Sequence, residues 1–255
     1  MTNILKQKIE SGNTLIGPFM KLPSPSVVEI MGLAGFDFVI IDCEHGPLNM
    51  IEAEDMIRAA KACGIGSVIR VTENNAAMIS RALDLGVDAI QVPQVSNRKD
   101  AESVVRAAKF YPLGERGVCR YVRAARYTSV SKQEYFNKAN KDTIVIIHIE
   151  GQEGIENIDE ILEVENIDII FIGPYDLSQS LGLPGEVNNP LLEEKMREVI
   201  EKSMKKGKWV GTFVDNIAEA YKWRELGVKY VSYAVDVGII YDAAKKIICE
   251  FKGLK

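Results

Sequence analysis

Residues 144–176 read IVIIHIEGQEGIENIDEILEVENIDIIFIGPYD. Two apolar, β-branched runs, 144–149 and 168–172, enclose a polar stretch. Each run ends in groups able to do chemistry: His148 and Glu150 at the end of the first, Gly173, Pro174, Tyr175 and Asp176 after the second. Runs this apolar suit strands covered on both faces, as a parallel sheet requires. Working outward, further runs of the same kind are LIGPF (15–19), DFVIID (37–42), GSVIR (66–70), DAIQV (88–92), KWVGT (208–212) and KYVSY (229–233). Between them lie amphipathic stretches such as AEDMIRAAKACG, AAMISRALDLG and AEAYKWRELG, each closing on a glycine suited to a left-handed cap. Eight strands alternating with helices over 255 residues predict a single (β/α)8 TIM barrel spanning 1–255, with no linker or low-complexity tract to divide it.

A formal charge of −5 argues against a nucleic-acid partner, and no apolar run reaches the ~20 residues that span a membrane. The stretch MTNILKQKIESGNTL lacks an apolar signal core. Cys43, Cys63, Cys119 and Cys249 form no CxxC pair, so a cytoplasmic chain with reduced thiols is expected. Residues 111–143 are too long for a plain connection and carry Arg116, Arg120, Arg123 and Arg126. They are expected near a subunit contact or the mouth of a site, with a purely structural role as the alternative.

In such barrels the active groups gather at the C-terminal ends of the strands. The polar residues at those ends are Asp42, Glu44, His45, Arg70, His148, Glu150 and Asp176. Glu150 and Asp176 offer two hard oxygen donors suited to Mg2+ or Mn2+, with positions left for a bidentate substrate. Solvated loop acids or a helix cap at Asp176 would explain the same residues. Gly173 lets the backbone approach a ligand, and the amides that follow can bind a carboxylate. His45, beside Asp42 or Glu44, suits general acid–base work, or is a loop histidine without a task. His148 shares the strand face of Glu150 and either meets substrate or packs in the barrel. Arg70 needs an anion, which is Asp42, Glu44 or a developing oxyanion. No lysine ends a predicted strand, and Lys208 and Lys229 begin theirs, which disfavours Schiff-base chemistry.

The chain resembles the HpcH/HpaI aldolases, metal-dependent class II pyruvate aldolases. The resemblance rests on AGFDFVIIDCEHGPLN, the arginine of SVIRV, QVPQV, YPLGERGV, IHIEG and IDIIFIGPYDLSQSLG, over nearly the whole length. It implies reversible cleavage of a 4-hydroxy-2-oxo acid to pyruvate and an aldehyde. It implies that Glu150 and Asp176 bind a divalent metal (Mg2+ or Mn2+, with Co2+ also able to serve). It also implies that His45 is the base, Asp42 the acid hydrogen-bonded to it, and Arg70 the stabiliser of the enolate. Amides near Tyr175 and Asp176 would hold the carboxylate, with His148, Gly173, Pro174 and Tyr175 lining the substrate site. The resemblance further implies a homo-oligomer, often a hexamer built from dimers that exchange their last helix, here near VGIIYDAAKKIICEF. His148 departs from the family's glutamine. The competing readings are a lyase or decarboxylase acting on acyl-CoA esters or oxaloacetate, and a non-catalytic barrel that binds an anionic partner through 116–126.

Overall fold

The computed structural model describes residues 3–254. Eight parallel strands close into a barrel: β1 (Leu15–Met20), β2 (Phe38–Asp42), β3 (Gly66–Arg70), β4 (Ala89–Val92), β5 (Ile144–Ile149), β6 (Ile169–Ile172), β7 (Trp209–Val214) and β8 (Tyr230–Val235). Each pairs with the next, and β8 closes on β1 with Leu15 opposite Tyr230. The sequence expectation holds for all eight, with boundaries that differ by at most two residues. Helices α1 (Ile4–Glu10), α2 (Pro25–Leu33), α3 (Met50–Ala62), α4 (Ala76–Asp84), α5 (Arg98–Ala108) and α6 (Lys132–Asp142) serve the first half. The second half carries α7 (Gln152–Glu156), α8 (Ile158–Leu162), α9 (Pro174–Ser180), α10 (Pro190–Lys205), α11 (Ile217–Glu225) and α12 (Asp236–Lys252).

Side chains alternate across a strand, and here both faces are buried. Phe38, Ile40, Val68, Ala89, Ile144, Ile146, Ile169, Phe171 and Tyr230 fill the barrel interior. Their neighbours Val39, Ile41, Ile69, Ile90, Val145, Ile147, Ile170 and Ile172 face the helices. The Phe38 and Tyr230 rings stack 4.3 Å apart, an arrangement worth about 0.5–1.5 kcal/mol beyond area burial. Gly17 makes room for it, since a Cβ there would lie 2.2 Å from the Phe38 carbonyl oxygen. Counting on by two from the interior residues reaches Asp42, Arg70, Gln91, His148, Glu150 and Gly173. The pleat that packs the core therefore aims those groups over its top.

The 111–143 insertion does not reach that end of its own barrel. It holds a short 3-10 helix (Arg123–Thr128) and α6. Arg116 pairs with Asp84 at 2.6 Å, and Arg123 donates to the Leu85 carbonyl at 2.7 Å. Both partners precede β4, so the insertion covers the N-terminal ends of the strands. A cavity of about 660 Å3 opens there beside Lys61, Arg116, Arg123 and Arg126. The expectation that these arginines stand at the site mouth is thus not met within one chain. Local hydrogen bonds to the α4–β4 turn decide otherwise, and Arg116 is buried over the Phe110 ring. At the other extreme, α12 leaves Val237, Ile240, Tyr241, Ile247, Ile248 and Phe251 exposed. No helix among the described residues is long and apolar enough to cross a membrane.

Candidate active site

Two hydrogen-bonded groups meet over the barrel. The first is built on β2 and β3, whose register sets Asp42 opposite Arg70. Arg70 donates from Nε to Asp42 Oδ1 at 2.9 Å and from Nη2 to Oδ2 at 2.8 Å. Its Nη1 lies 2.9 Å from Glu44 Oε2, and its guanidinium rests 4.5 Å above the Phe19 ring. Three of the five guanidinium N–H donors are thereby used, and two remain. Burial alone would raise the Asp42 carboxyl, but the Arg70 bonds and charge outweigh it and hold the group below its usual range. Glu44 is pushed up, by burial first and also by the charge of Glu150, although Arg70 opposes the rise.

The turn after β2 corrects one expectation. Asp42 Oδ1 accepts the backbone amides of Glu44 and His45, at 3.1 and 3.3 Å, and not the His45 ring. The fork of Arg70 takes both Asp42 oxygens, and the turn sends the imidazole outward. The ring is half exposed, and its Nε2 is 3.8 Å from Glu44 Oε2. Glu44, not Asp42, is the acid beside His45. A second correction concerns lysine. Lys21 directly follows β1, with Nζ 3.9 Å from Asp42 Oδ2, so one lysine does stand at a strand's C-terminal end. Its pairing with a carboxylate is the opposite of the apolar or cationic surroundings that free a lysine amine for Schiff-base chemistry. Cys43 is no better as a nucleophile, because burial pushes its thiol up to about 11.

The second group centres on Glu150. Its Oε1 accepts the Gln94 amide at 2.8 Å, and its Oε2 lies 2.8 Å from His148 Nδ1. Gln94 adopts a left-handed φ of 56° to present that amide. Burial would raise the Glu150 carboxyl, but the adjacent His148, its hydrogen bond and the Gln94 amide keep it below its usual range. Gly173, at the end of β6, cradles the same carboxylate: a Cβ there would sit 2.7 Å from Oε2. Three residues on, Asp176 stands exposed in the first turn of α9, which Gly173 caps and Pro174 begins. The Tyr175 hydroxyl donates to Asp215, and burial together with that carboxylate pushes the phenol up to about 12.

His148 is buried and faces Glu150. Its Nε2 lies 2.6 Å from Gln91 Nε2, and Tyr230 donates to Gln91 Oε1 at 3.2 Å. Gln91 and Tyr230 escaped the sequence reading, although a glutamine inside the apolar run DAIQV is the signal that would have found one of them.

The donor set suits a hard cation. Asp42, Glu44, Glu150 and Asp176 bring four carboxyl groups to this end, against the cationic side chains of Arg70 and Lys21. Glu150 is held anionic with only one hydrogen bond to each oxygen, so lone pairs remain for a ligand. Among the described residues, no three His, Cys, Asp or Glu side chains converge as a ready-made cage. Two carboxylates completed by water or substrate would suffice for such an ion.

The description HpcH/HpaI aldolase/citrate lyase matches residues 15–243. The 5-keto-4-deoxy-D-glucarate aldolase of Shigella boydii is 31% identical over 98% of this chain and 96% of its own. The hydroxypyruvate/pyruvate aldolase of Pseudomonas aeruginosa is 32% identical, over 98% and 93%. The crystal structure of an HpcH/HpaI aldolase/citrate lyase family protein from Burkholderia cenocepacia superposes with a TM-score of 0.93 at 31% identity, covering 98% of this chain and all of that one. With its closed eight-stranded barrel and its charged groups gathered over the C-terminal end, the chain belongs to the HpcH/HpaI aldolase/citrate lyase family and is a carbon–carbon lyase of the aldolase type.

Proposed function

We propose that the chain cleaves a 4-hydroxy-2-oxo acid reversibly to pyruvate and an aldehyde, in the cytoplasm, with a divalent metal held by Glu150 and Asp176. The observation that carries this reading is the Glu150 carboxylate, kept anionic and fixed between the Gln94 amide, His148 and the Gly173 cradle. When bound, Mg2+, Mn2+ or Co2+ supplies a Lewis acid for the keto and carboxylate oxygens of the substrate.

The chain's own residues divide the remaining work. The exposed His45 ring accepts the C4 hydroxyl proton, with Glu44 beside it. The C3–C4 bond then breaks, its electron pair passes to C3 as an enolate, C4 leaves as an aldehyde, and protonation of C3 completes pyruvate and balances the proton that His45 took up. Arg70, immobilised by Asp42 and Glu44, turns its remaining N–H donors and its charge toward the enolate oxygen. Asp42 positions Arg70, and the Tyr175 and Asp176 amides, with Gly173 and Pro174 setting the backbone, receive the pyruvate carboxylate. His148 supports Glu150. The exposed apolar face of α12 packs in a second copy, making a homo-oligomer.

The test is cleavage of 4-hydroxy-2-oxo acids with and without chelator, alongside Mn2+ titration. Glu150→Gln and Asp176→Asn are expected to lose tight Mn2+ binding and activity while melting near the parent temperature. Full metal occupancy in both variants would refute the assignment.

A further inference from the structure

Lys21 has no task in the reaction just described. It directly follows β1, two places beyond Phe19. Its stem lies along the turn after β2, where a Cβ on Gly46 would meet Lys21 Cα and Cγ, each at 3.6 Å. Its ammonium stands 3.9 Å from Asp42 Oδ2, and the side chain is 30% exposed. At that distance the two form an ion pair without a hydrogen bond. Asp42 has little more to offer. Its Oδ2 already accepts Arg70 Nη2, and its Oδ1 accepts Arg70 Nε and the amides of Glu44 and His45. Among the described residues no acceptor lies within hydrogen-bond distance of Lys21 Nζ, which leaves three ammonium donors to solvent or a ligand.

Barrel closure decides which half of a substrate Lys21 would meet. In the ring of eight strands, β1 and β2 lie diametrically across from β5 and β6. In the proposed reaction Glu150 and Asp176, which follow β5 and β6, hold the pyruvate half, and His45, which follows β2, takes the C4 hydroxyl proton. C4 and the carbons beyond it therefore lie toward β1 and β2, where Lys21 flanks the turn that carries His45. We propose that Lys21 binds a carboxylate carried on the aldehyde half, so that the chain prefers 4-hydroxy-2-oxo diacids, which release an aldehyde acid. The proposal rests on the function given above and names its substrate class. Arg70 is committed to Asp42, Glu44 and the enolate, and the arginines of the 111–143 insertion cover the opposite end, so neither takes that charge. One ammonium beside Asp42 and Glu44 balances a singly charged carboxylate, whereas a phosphate dianion would meet their repulsion with a single cation to offset it.

The test compares 4-hydroxy-2-oxohexanedioate with 4-hydroxy-2-oxohexanoate, which differ only in the terminal carboxylate of the aldehyde half. Pyruvate release by the full chain is followed with saturating Mn2+. The wild type should cleave the diacid better and at lower KM, and the preference should shrink as salt screens the exposed pair. Lys21→Met keeps the stem and removes the charge. A hydrogen bond to a charged group corresponds to roughly a 10- to 100-fold effect, so the diacid-to-monoacid ratio of kcat/KM should fall by about that factor, mainly through KM. Lys21→Arg should restore most of the ratio. A merely structural role would lower both substrates alike. Equal losses in Lys21→Met, an unchanged ratio, or a wild type without preference would overturn the Lys21 assignment and leave the aldolase reading standing. A wild type that releases pyruvate from neither substrate would overturn both.

Discussion

Gly173→Ala tests how closely the Glu150 carboxylate must be placed. Gly173 has φ −89°, which alanine adopts without strain, so the backbone itself does not resist the change. The added methyl would meet Glu150 Oε2 at 2.7 Å and Glu150 Cβ at 3.0 Å. Relief to ordinary contact requires the carboxylate to move by roughly half an ångström or more. The bonds from His148 and the Gln94 amide are both 2.8 Å, and that movement lengthens at least one of them. A hydrogen bond to a charged group is worth about 1.5–3 kcal/mol, so loss of one corresponds to roughly a 10- to 100-fold weaker site. The expected result is kcat/KM for retro-aldol cleavage down by about that factor and a Kd for Mn2+ raised in parallel. The melting temperature should fall by no more than about 12 °C, at about 2–4 °C per kcal/mol for a chain of this size. Steady-state kinetics with saturating Mn2+, Mn2+ titration and calorimetry read the three quantities. Wild-type kcat/KM in a folded Gly173→Ala protein would show that Glu150 placement does not govern the reaction.

Three further outcomes are expected. His45→Ala should lose ~10²–10⁴-fold in aldol cleavage yet keep substantial oxaloacetate decarboxylation, which removes no hydroxyl proton, whereas Arg70→Ala should lose both; equal loss of both reactions in His45→Ala would make His45 a positioning group. Asp42 has a folded-state carboxyl below its ordinary value of 3.8, so it adds stability above pH 3.8 that is lost as pH falls through the lower folded value. Asp42→Asn should therefore flatten that acid limb in pH-dependent denaturation and cost about 3 kcal/mol at neutral pH by stranding Arg70, and an unchanged acid limb would contradict the pairing. Replacing Ile247 and Phe251, both exposed on α12, by glutamate should give a smaller species in sedimentation velocity, and an unchanged sedimentation coefficient would remove α12 from the subunit interface.

The eight strands were legible because their signal is local. A β-branched run bounded by polar residues is visible within six letters, and period two then tells which side chains join the core. Asp42, Arg70, His148 and Glu150 were legible in the same way, as the polar residues at the ends of those runs. The family motifs were equally local and placed His45 and Asp176. What each of these groups touches was not legible. DCEHG left both Asp42 and Glu44 open as the acid that orients the His45 ring, and the family resemblance implied Asp42. The barrel instead sets Asp42 opposite Arg70, and a bidentate buried pair takes both carboxylate oxygens. The arginines of 111–143 looked like groups for the site because composition says nothing about which end of a barrel a loop folds over. The α4–β4 turn decided that. Most remote is the contact of Tyr230 with Gln91, 139 residues away, which exists only because β8 closes on β1 and brings both side chains into one interior layer. Sequence alone determined the strands and the chemical groups at their ends, because an apolar run and its polar end are both read within one strand. Tertiary structure alone decided which group pairs with which, because partners across a barrel are chosen by register, closure and the need of each buried charge or polar atom for a complement.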